Sequence, residues 1–418
     1  MAIGYACLAI GVPGSTISSC TLKNATEDNI RALILKNLNA LEVMFHYNDL
    51  HDIRLFRISS DLIPFGSHPV NRVEWWKDYK EYFNKLGEII KNAGLRVSMH
   101  PGQYTVINSN DPGVVDRSVQ ELIYHARFLD ALGVDQTNKL ILHVGGVYGD
   151  KEKAMSNFIR VYQSLPFEVQ RRLVIENDER CFTISEVLSI SAACGAPVVF
   201  DNLHHRINPS NEPASDYEWI KRCGLTWKEV DGRQKIHYSQ QKEQAPPGSH
   251  SDTIFLKSFQ EYYEPLSQAA PDIMLEVKDK NLSAIKCIHS IGNPATAKRL
   301  ETEWARYKYY VLSKDARIYQ AIRELLKNKE ARVANEFYEM IETAQGLSEN
   351  TGAQVNAAQH VWGYFSKDCT AAEKRRYEKL MEDYTVGTAS ITSVKNHLYK
   401  CAVRMKQEYL IKSLYFYI

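Results

Sequence analysis

The sequence has no closely spaced pair of cysteines, although it contains eight cysteines in 418 residues. No two of them form a CxxC motif, the spacing typical of zinc ribbons and of thioredoxin-like redox sites. Their scattered positions predict free thiols in a reducing compartment rather than a disulfide framework. The cysteines are Cys7, Cys20, Cys181, Cys194, Cys223, Cys287, Cys369 and Cys401.

Long apolar runs are also missing. No stretch approaches the roughly 20 apolar residues that a membrane-spanning helix needs. The first residues, "MAIGYACLAIGVPG", have no basic flank before their short apolar run, so we do not expect a secretory signal peptide. A cytoplasmic location, with no membrane association, is the resulting expectation.

The chain carries almost no excess charge. Its 51 basic and 50 acidic residues give a formal net charge of +1. This balance argues against a protein whose whole surface binds nucleic acid. A local basic groove beside an acidic centre stays compatible with it, because binding depends on the charge of a patch.

Up to about residue 290, short apolar runs rich in β-branched residues alternate with amphipathic helical patterns. Such alternation predicts parallel strands joined by crossover helices. Eight strands in about 290 residues predict an α/β fold of the TIM (β/α)8 barrel type, with a doubly wound open sheet as the alternative. The predicted strands are 3–9, 55–59, 95–100, 139–144, 172–177, 197–202, 235–239 and 273–278.

Residues 291–418 have a different composition. Helical patterns rich in Tyr, Lys, Arg and Glu follow one another without strand signals, as in "TAAEKRRYEKLMEDY". We therefore expect two domains, a barrel over 1–290 and an all-α extension over 291–418. The chain has no internal repeat of fixed period and no low-complexity tract.

Histidines and carboxylates recur where the predicted strands end. In a TIM barrel the C-terminal strand ends carry the chemistry, so these side chains should meet at one rim. Each could be an ordinary structural residue on its own, but a ring of buried carboxylates requires cations to neutralise it. The pattern therefore predicts a multinuclear metal site. Its candidate ligands are His100, His143, Glu176, Asp201, His204, His237, His250 and Glu276.

Several motifs of this region resemble the UV damage endonuclease family. They include "FRISSDLIPFGSH", "SMHPGQYTVINS", "LILHVGGVYGDK", "LVIENDE", "VVFDNLHH", "KIHYSQQ" and "IMLEVKDK". The resemblance implies a relative of endonuclease IV, a TIM barrel with up to three divalent metals, with Mn²⁺ as the expected ion and Zn²⁺, Co²⁺ or Fe²⁺ as alternatives. It also implies that the enzyme nicks double-stranded DNA immediately 5′ of ultraviolet photoproducts and leaves a 3′-hydroxyl and a 5′-phosphate.

The resemblance also assigns roles to individual residues. All eight candidate ligands match expected metal positions, with Glu176 bridging two metals, and His68 matches a further histidine near the centre. Lys235 matches a lysine that can carry a carboxylate modification, and an unmodified amine that binds phosphate is the alternative. The implied catalytic residues are Glu176, Glu276, Lys235 and His237.

The "HPGQY" loop would examine the duplex. The resemblance implies that Gln103 and Tyr104 wedge into the space left by extruded nucleotides, where a ring can stack and an amide can bind a base edge. Tyr5 matches another residue near the damage pocket. Packing of Tyr104 on the barrel mouth is the alternative. Candidate phosphate contacts are Asn108, Ser109, Arg206 and Arg233.

The C-terminal segment is similar to the YbgA-like helical family, whose function is uncharacterised. Its interleaved Tyr, Lys and Arg would suit either contacts with DNA or the packing faces of a helical bundle. No protein partner is expected. For the barrel, an abasic-site endonuclease, a metal-dependent sugar isomerase and a non-catalytic nucleic-acid adaptor are the rival interpretations.

Overall fold

The computed structural model describes residues 1–266 and 270–418. Eight parallel strands close into a barrel in sequence order, so the predicted TIM-barrel fold is confirmed. Each predicted strand is present and is shortened to four residues. The strands are β1 (Ile3–Ala6), β2 (Leu55–Ile58), β3 (Arg96–Met99), β4 (Leu140–His143), β5 (Leu173–Glu176), β6 (Val198–Asp201), β7 (Lys235–Tyr238) and β8 (Asp272–Leu275).

Helices follow the strands around the barrel. Several of them begin at a residue whose side chain caps the first turn. Thr26 accepts a hydrogen bond at the start of α1, for example, and Asp111 does so at the start of α4. The helices are α1 (Glu27–Leu50), α2 (Trp75–Asp78), α3 (Lys80–Asn92), α4 (Pro112–Ala131), α5 (Lys151–Ser164), α6 (Phe167–Gln170), α7 (Ile184–Cys194), α8 (Asn202–Ile207), α9 (Asp216–Gly224), α10 (Leu256–Leu266) and α11 (Asn281–Ser290).

The register of the barrel aligns the polar strand ends. His143 of β4 pairs with Glu176 of β5, and Asp201 of β6 pairs with His237 of β7. Partners in adjacent parallel strands lie side by side, so each pair is held at the same level of the barrel. In β4 and β5 the strand residues before His143 and Glu176 are buried and apolar, which fixes these two side chains at the C-terminal rim.

The opposite rim is closed by buried ion pairs. Arg96 contacts Asp272 at 2.9 Å, and Lys139 contacts Asp231 at 2.5 Å. These residues lie at or before the first positions of their strands, at the end of the barrel opposite the C-terminal rim. Each buried charge at this end of the barrel has an oppositely charged partner, because an unpaired buried charge would be strongly destabilising.

The described chain divides into two compact units, residues 1–9 with 14–288 and residues 10–13 with 289–418. The second unit is helical, and residues such as Val361, Val394 and Leu398 form its core. That 1–290 and 291–418 act as separate domains stays a prediction. The helices of the second unit are α12 (Ala297–Leu312), α13 (Ala316–Leu325), α14 (Ala334–Gly346), α15 (Thr351–Trp362), α16 (Ala371–Thr385), α17 (Ile391–Arg404) and α18 (Glu408–Ile411).

All eight cysteines are free, as their spacing predicted. Across residues 1–266 and 270–418, no helix is both long and apolar enough to traverse a membrane.

Candidate metal centre

Glu176 stands at the centre of the C-terminal rim and is 1 % exposed. Its Oε1 lies 2.6 Å from Nδ1 of His237, and its Oε2 lies 3.2 Å from Nε2 of His100. Nε2 of His143 lies 3.6 Å from the same Oε2. One carboxylate at the end of β5 therefore lies beside three imidazoles, at or near the ends of β3, β4 and β7.

A second carboxylate, Asp201, lies beside this group. Its Oδ1 accepts a hydrogen bond from the backbone N–H of His204, so Asp201 caps α8 and sets the position of that histidine. Asn177 anchors the end of β6 by bonding both the N–H and the C=O of Asp201. Nδ1 of His204 consequently lies 3.9 Å from Asp201 and 4.0 Å from Glu176.

Glu276, just beyond the end of β8, is the third carboxylate. Its Oε1 lies 3.3 Å from Nδ1 of His237, and its Oε2 lies 3.7 Å from Nε2 of His250. A bridge between Gln241 and His250 holds the loop that carries this histidine. All eight predicted ligands are thus brought together at one rim.

The buried charges perturb one another. Burial opposes ionisation of Glu176, but His237 and His143 hold its pKa well below the ordinary value. Burial lowers the pKa of His143 to about 4, which keeps this imidazole neutral and able to donate an electron pair. Burial raises the pKa of Asp201, although His204 opposes this shift. Burial lowers the pKa of His204, but Asp201 and Glu176 outweigh it and raise that pKa to about 9. The cluster therefore combines carboxylates with a neutral imidazole, His143, and a more basic one, His204.

The unpaired atoms of this cluster fit divalent metals. His143 Nδ1, Asp201 Oδ2 and His237 Nε2 are buried, and no hydrogen-bond partner for them exists in the described chain. Buried polar atoms are rarely left unsatisfied unless something else binds them. Two groups have donor atoms close enough to share one ion, and mixed nitrogen and oxygen donors suit Mn, Zn, Fe or Co. These groups are His100–His143–Glu176 and Glu176–Asp201–His237.

Two residues besides the eight candidate ligands, His68 and Lys235, are also predicted to belong to the centre. His68 is exposed, and its Nδ1 accepts a hydrogen bond from the backbone N–H of Val70. Lys235 is fully buried two residues before His237, so both side chains point into the barrel. Among the described residues no group bonds its Nζ. Burial, reinforced by the nearby Arg96, holds the pKa of Lys235 well below its ordinary value.

The "HPGQY" loop follows β3 directly. Ser60 Oγ donates to the backbone carbonyl of His100 at 2.8 Å, and the loop closes in a turn in which the N–H of Thr105 donates to Gly102. Gln103 is exposed, and Tyr104 is 84 % exposed. The alternative interpretation, in which Tyr104 packs on the barrel mouth, is therefore wrong.

Tyr5 occupies a different environment. Its side chain is fully buried, its ring packs on Phe56 at 5.1 Å, and its hydroxyl donates to Asn48 Oδ1 at 2.9 Å. The structure therefore does not place Tyr5 where a surface-bound duplex would touch it. Its predicted role in probing damage stays untested.

The four candidate phosphate contacts divide into two groups. Arg206 is exposed and Ser109 is partly exposed, and both follow strand ends at the C-terminal rim. Asn108 is buried, and its amide donates to the carbonyl of Gly146, so it stabilises the loop instead. Arg233 precedes β7 and donates to the carbonyl of Ala270 at the opposite rim. The prediction that Asn108 and Arg233 contact phosphates is therefore not supported by where the structure places them.

Arg57 is a site residue that the sequence reasoning missed. It lies in β2, is largely buried and forms an ion pair with Glu276. Burial opposes ionisation of Glu276, but Arg57 and His237 hold its pKa well below the ordinary value. An arginine inside the apolar run "LFRIS" was the available signal, since a buried arginine needs a counter-charge.

A cavity of about 230 Å³ adjoins the cluster and is lined by residues such as His100, Gln103 and His143. The fold and this site together define a TIM-barrel protein with a candidate divalent-metal centre at the C-terminal rim. The comparisons narrow that class. Residues 1–304 match the family described as UV-endonuclease UvdE, and residues 308–418 match a protein family of unknown function, DUF1722.

Similar proteins agree with this match. A UV DNA damage endonuclease from Clostridium perfringens (strain 13 / Type A) is 45 % identical over 319 residues, which cover 75 % of this chain and 77 % of the relative. One from Bacillus mycoides (strain KBAB4) is 32 % identical over 283 residues, covering 67 % and 88 %. The crystal structure of SacUVDE aligns with a TM-score of 0.65 and 37 % identity over 69 % of this chain and 96 % of that one. The chain belongs to the UV-endonuclease family, and both predicted resemblances are confirmed.

Proposed function

We propose that this protein is a metal-dependent endonuclease that nicks DNA immediately 5′ of ultraviolet photoproducts and leaves a 3′-hydroxyl and a 5′-phosphate. The observation that carries the proposal is that candidate metal ligands and the exposed loop line the same cavity. The cavity beside the Glu176 cluster is lined by two candidate ligands, His100 and His143, and by Gln103 of the exposed loop. Membership of the UV-endonuclease family supports the same activity.

Divalent ions, when bound, supply Lewis-acid stabilisation of the phosphodiester and lower the pKa of water. The chain's own residues provide the charge and rigidity that this chemistry needs. Glu176 directs its two oxygens toward different histidines, His237 on one side and His100 on the other, which suits a bridging carboxylate. Lys235 lies buried below His237, where either a carboxylated or a free amine could support the centre.

Lesions would be selected by how easily they leave the helix. Photoproducts weaken stacking and pairing, so their extrusion costs less than that of normal bases, by about a few kcal/mol. Gln103 and Tyr104 are exposed on a loop anchored through Ser60, so both side chains are accessible to a duplex bound at this rim. Arg180 lines the same cavity with its side chain 83 % exposed, and it could contact the backbone of an extruded nucleotide.

A strand-resolved cleavage assay tests the proposal. One labelled duplex carries a single cyclobutane dimer, a second carries an abasic site, and a third is undamaged, each with Mn²⁺ or with chelator. We expect a Mn²⁺-dependent nick directly 5′ of the dimer and none in the undamaged duplex. Cutting of the abasic duplex alone would instead identify an abasic-site endonuclease with the same centre.

Tyr104→Ala should weaken recognition of the dimer without removing the metal centre. Base–aromatic stacking contributes about 1–3 kcal/mol, so affinity for the dimer duplex should fall roughly 5- to 150-fold. Fluorescence anisotropy with undamaged and dimer-containing duplexes measures the effect. Phe167→Ala is the matched control, because Phe167 is 75 % exposed on α6, before β5 at the opposite rim. An equal loss for both variants would contradict the probe role.

A further inference from the structure

The helical unit contains a lysine surrounded by tyrosines that no part of the proposed endonuclease chemistry uses. Lys308 and Tyr309 lie on α12, Tyr364 follows α15, and Tyr409 lies on α18. Nζ of Lys308 lies 4.6 Å from the ring centre of Tyr309 and 4.7 Å from that of Tyr409. The hydroxyl of Tyr309 donates to that of Tyr364 at 2.7 Å. We call these four residues the lysine–tyrosine cluster.

The cation of this cluster lacks an acidic partner. In the part of the chain that the structure describes, no carboxylate lies within ion-pair distance of Lys308, and its neighbours are tyrosines. Burial opposes its charge, but a hydrogen bond with Tyr409 holds the pKa of Lys308 above the ordinary value. The cluster therefore keeps a positive charge that the protein itself does not neutralise.

Two rings of the cluster face solvent. Tyr364 is 43 % exposed and Tyr409 is 37 % exposed, and their rings lie 5.9 Å apart at an angle of 23°. The core of the unit includes Tyr309 but neither of these two residues. Packing thus accounts for Tyr309 and leaves the exposed faces of Tyr364 and Tyr409 unexplained.

The surrounding sequence has the same sign of charge as Lys308. Residues 289–418 contain 20 lysines and arginines against 15 aspartates and glutamates, a formal charge of +5, whereas the whole chain carries only +1. On the next helix, Arg323 lies over the ring of Tyr319 at 5.8 Å, which adds a second cation beside an aromatic ring. A polyanion is the ligand that such a surface would attract.

We propose that the lysine–tyrosine cluster binds single-stranded nucleic acid, with the exposed rings of Tyr364 and Tyr409 stacking on bases and Lys308 contacting a phosphate. Proteins that bind single strands without sequence preference combine aromatic stacking with nearby cations in this way. Two nearly parallel, partly exposed rings beside one ammonium group supply both kinds of contact. The site is independent of Glu176 and its neighbours, so it would function whether or not the barrel cuts DNA.

The first experiment measures binding of the full chain, with chelator present, to fluorescent oligothymidylate and to the equivalent oligouridylate by anisotropy. The double variant Tyr364→Ala/Tyr409→Ala should bind at least about tenfold more weakly. The variant Tyr364→Phe/Tyr409→Phe keeps the rings and removes only the hydroxyls that bond Tyr309 and Lys308, so it should bind much more tightly than the alanine variant. Equal losses in the alanine and phenylalanine variants, or no loss in either, would overturn the stacking role. The two oligonucleotides distinguish DNA from RNA as the preferred strand.

The second experiment isolates the phosphate contact. Lys308→Met should reduce the slope of log affinity against log salt by about 0.7, the value for one phosphate on a single strand. Lys308→Arg should retain the slope, and Lys379→Met, an exposed lysine on α16, is the charge-matched control. Photocrosslinking of an iodouracil oligonucleotide should label Tyr364 or Tyr409. A salt slope that Lys379→Met changes as much as Lys308→Met, or labelling confined to the barrel, would refute the proposal.

Discussion

Glu176→Gln is expected to abolish metal-dependent cleavage and to lower the metal content of the protein together. The substitution keeps the shape of the side chain and removes its charge. Glu176 belongs to both groups of donor atoms that could share an ion, and it contacts His237, His100 and His143. Even outer residues of metal sites typically cost 10- to 100-fold when replaced. A shared ligand should therefore cost more than about 100-fold in the cleavage rate.

Two measurements on the same preparation check this expectation. Single-turnover cleavage of a dimer-containing duplex gives the rate, and elemental analysis after dialysis against Mn²⁺ gives the bound metal. Glu229→Gln is the matched control, because Glu229 is exposed and precedes β7 at the opposite rim. Binding of the duplex should be partly retained, since the Gln103–Tyr104 loop does not depend on the carboxylate. Wild-type cutting or full metal content in Glu176→Gln would contradict the assignment of this residue.

The rim residues could be predicted from sequence because the barrel converts chain position into spatial position. Each strand from β3 to β8 contributes a histidine or carboxylate at or near its end, and parallel register then places His143 beside Glu176 and Asp201 beside His237. The same rule applies to Arg233. It precedes its strand, so strand direction alone could have assigned it to the opposite rim.

Other contacts of the site could not be predicted from the sequence. The partner of Arg57 is 219 residues away, and no local pattern identifies it. Tyr5 packs on Phe56, and Asn108 donates a hydrogen bond to Gly146. Both partners belong to other segments of the chain, so the local sequence does not reveal these contacts. Periodicity reveals which face of an element is apolar, but it does not show which polar group a buried side chain will meet.

Arg57→Met is expected to destabilise the metal-free protein strongly and the metal-loaded protein much less. In the barrel, Arg57 and Glu276 form an ion pair whose side chains are 15 % and 11 % exposed. Removing one partner of a buried pair leaves an uncompensated charge and typically costs about 3–5 kcal/mol. Glu176 lies close by and adds repulsion. Divalent ions would neutralise both carboxylates, so their binding should restore most of the lost free energy of unfolding.

Differential scanning calorimetry of Arg57→Met and of the parent, each with chelator and with saturating Mn²⁺, measures this difference. Arg54→Met is the control, because Arg54 pairs with Asp49 and Asp52 at exposed positions, where an ion pair contributes only about 0–1 kcal/mol. Arg57→Lys keeps the charge and should recover part of the stability. If Arg57→Met lost the same stability with and without Mn²⁺, Arg57 would support packing alone. A loss confined to the chelated protein would show that arginine and metal ions compensate the same carboxylate, Glu276, because only then can either cation substitute for the other.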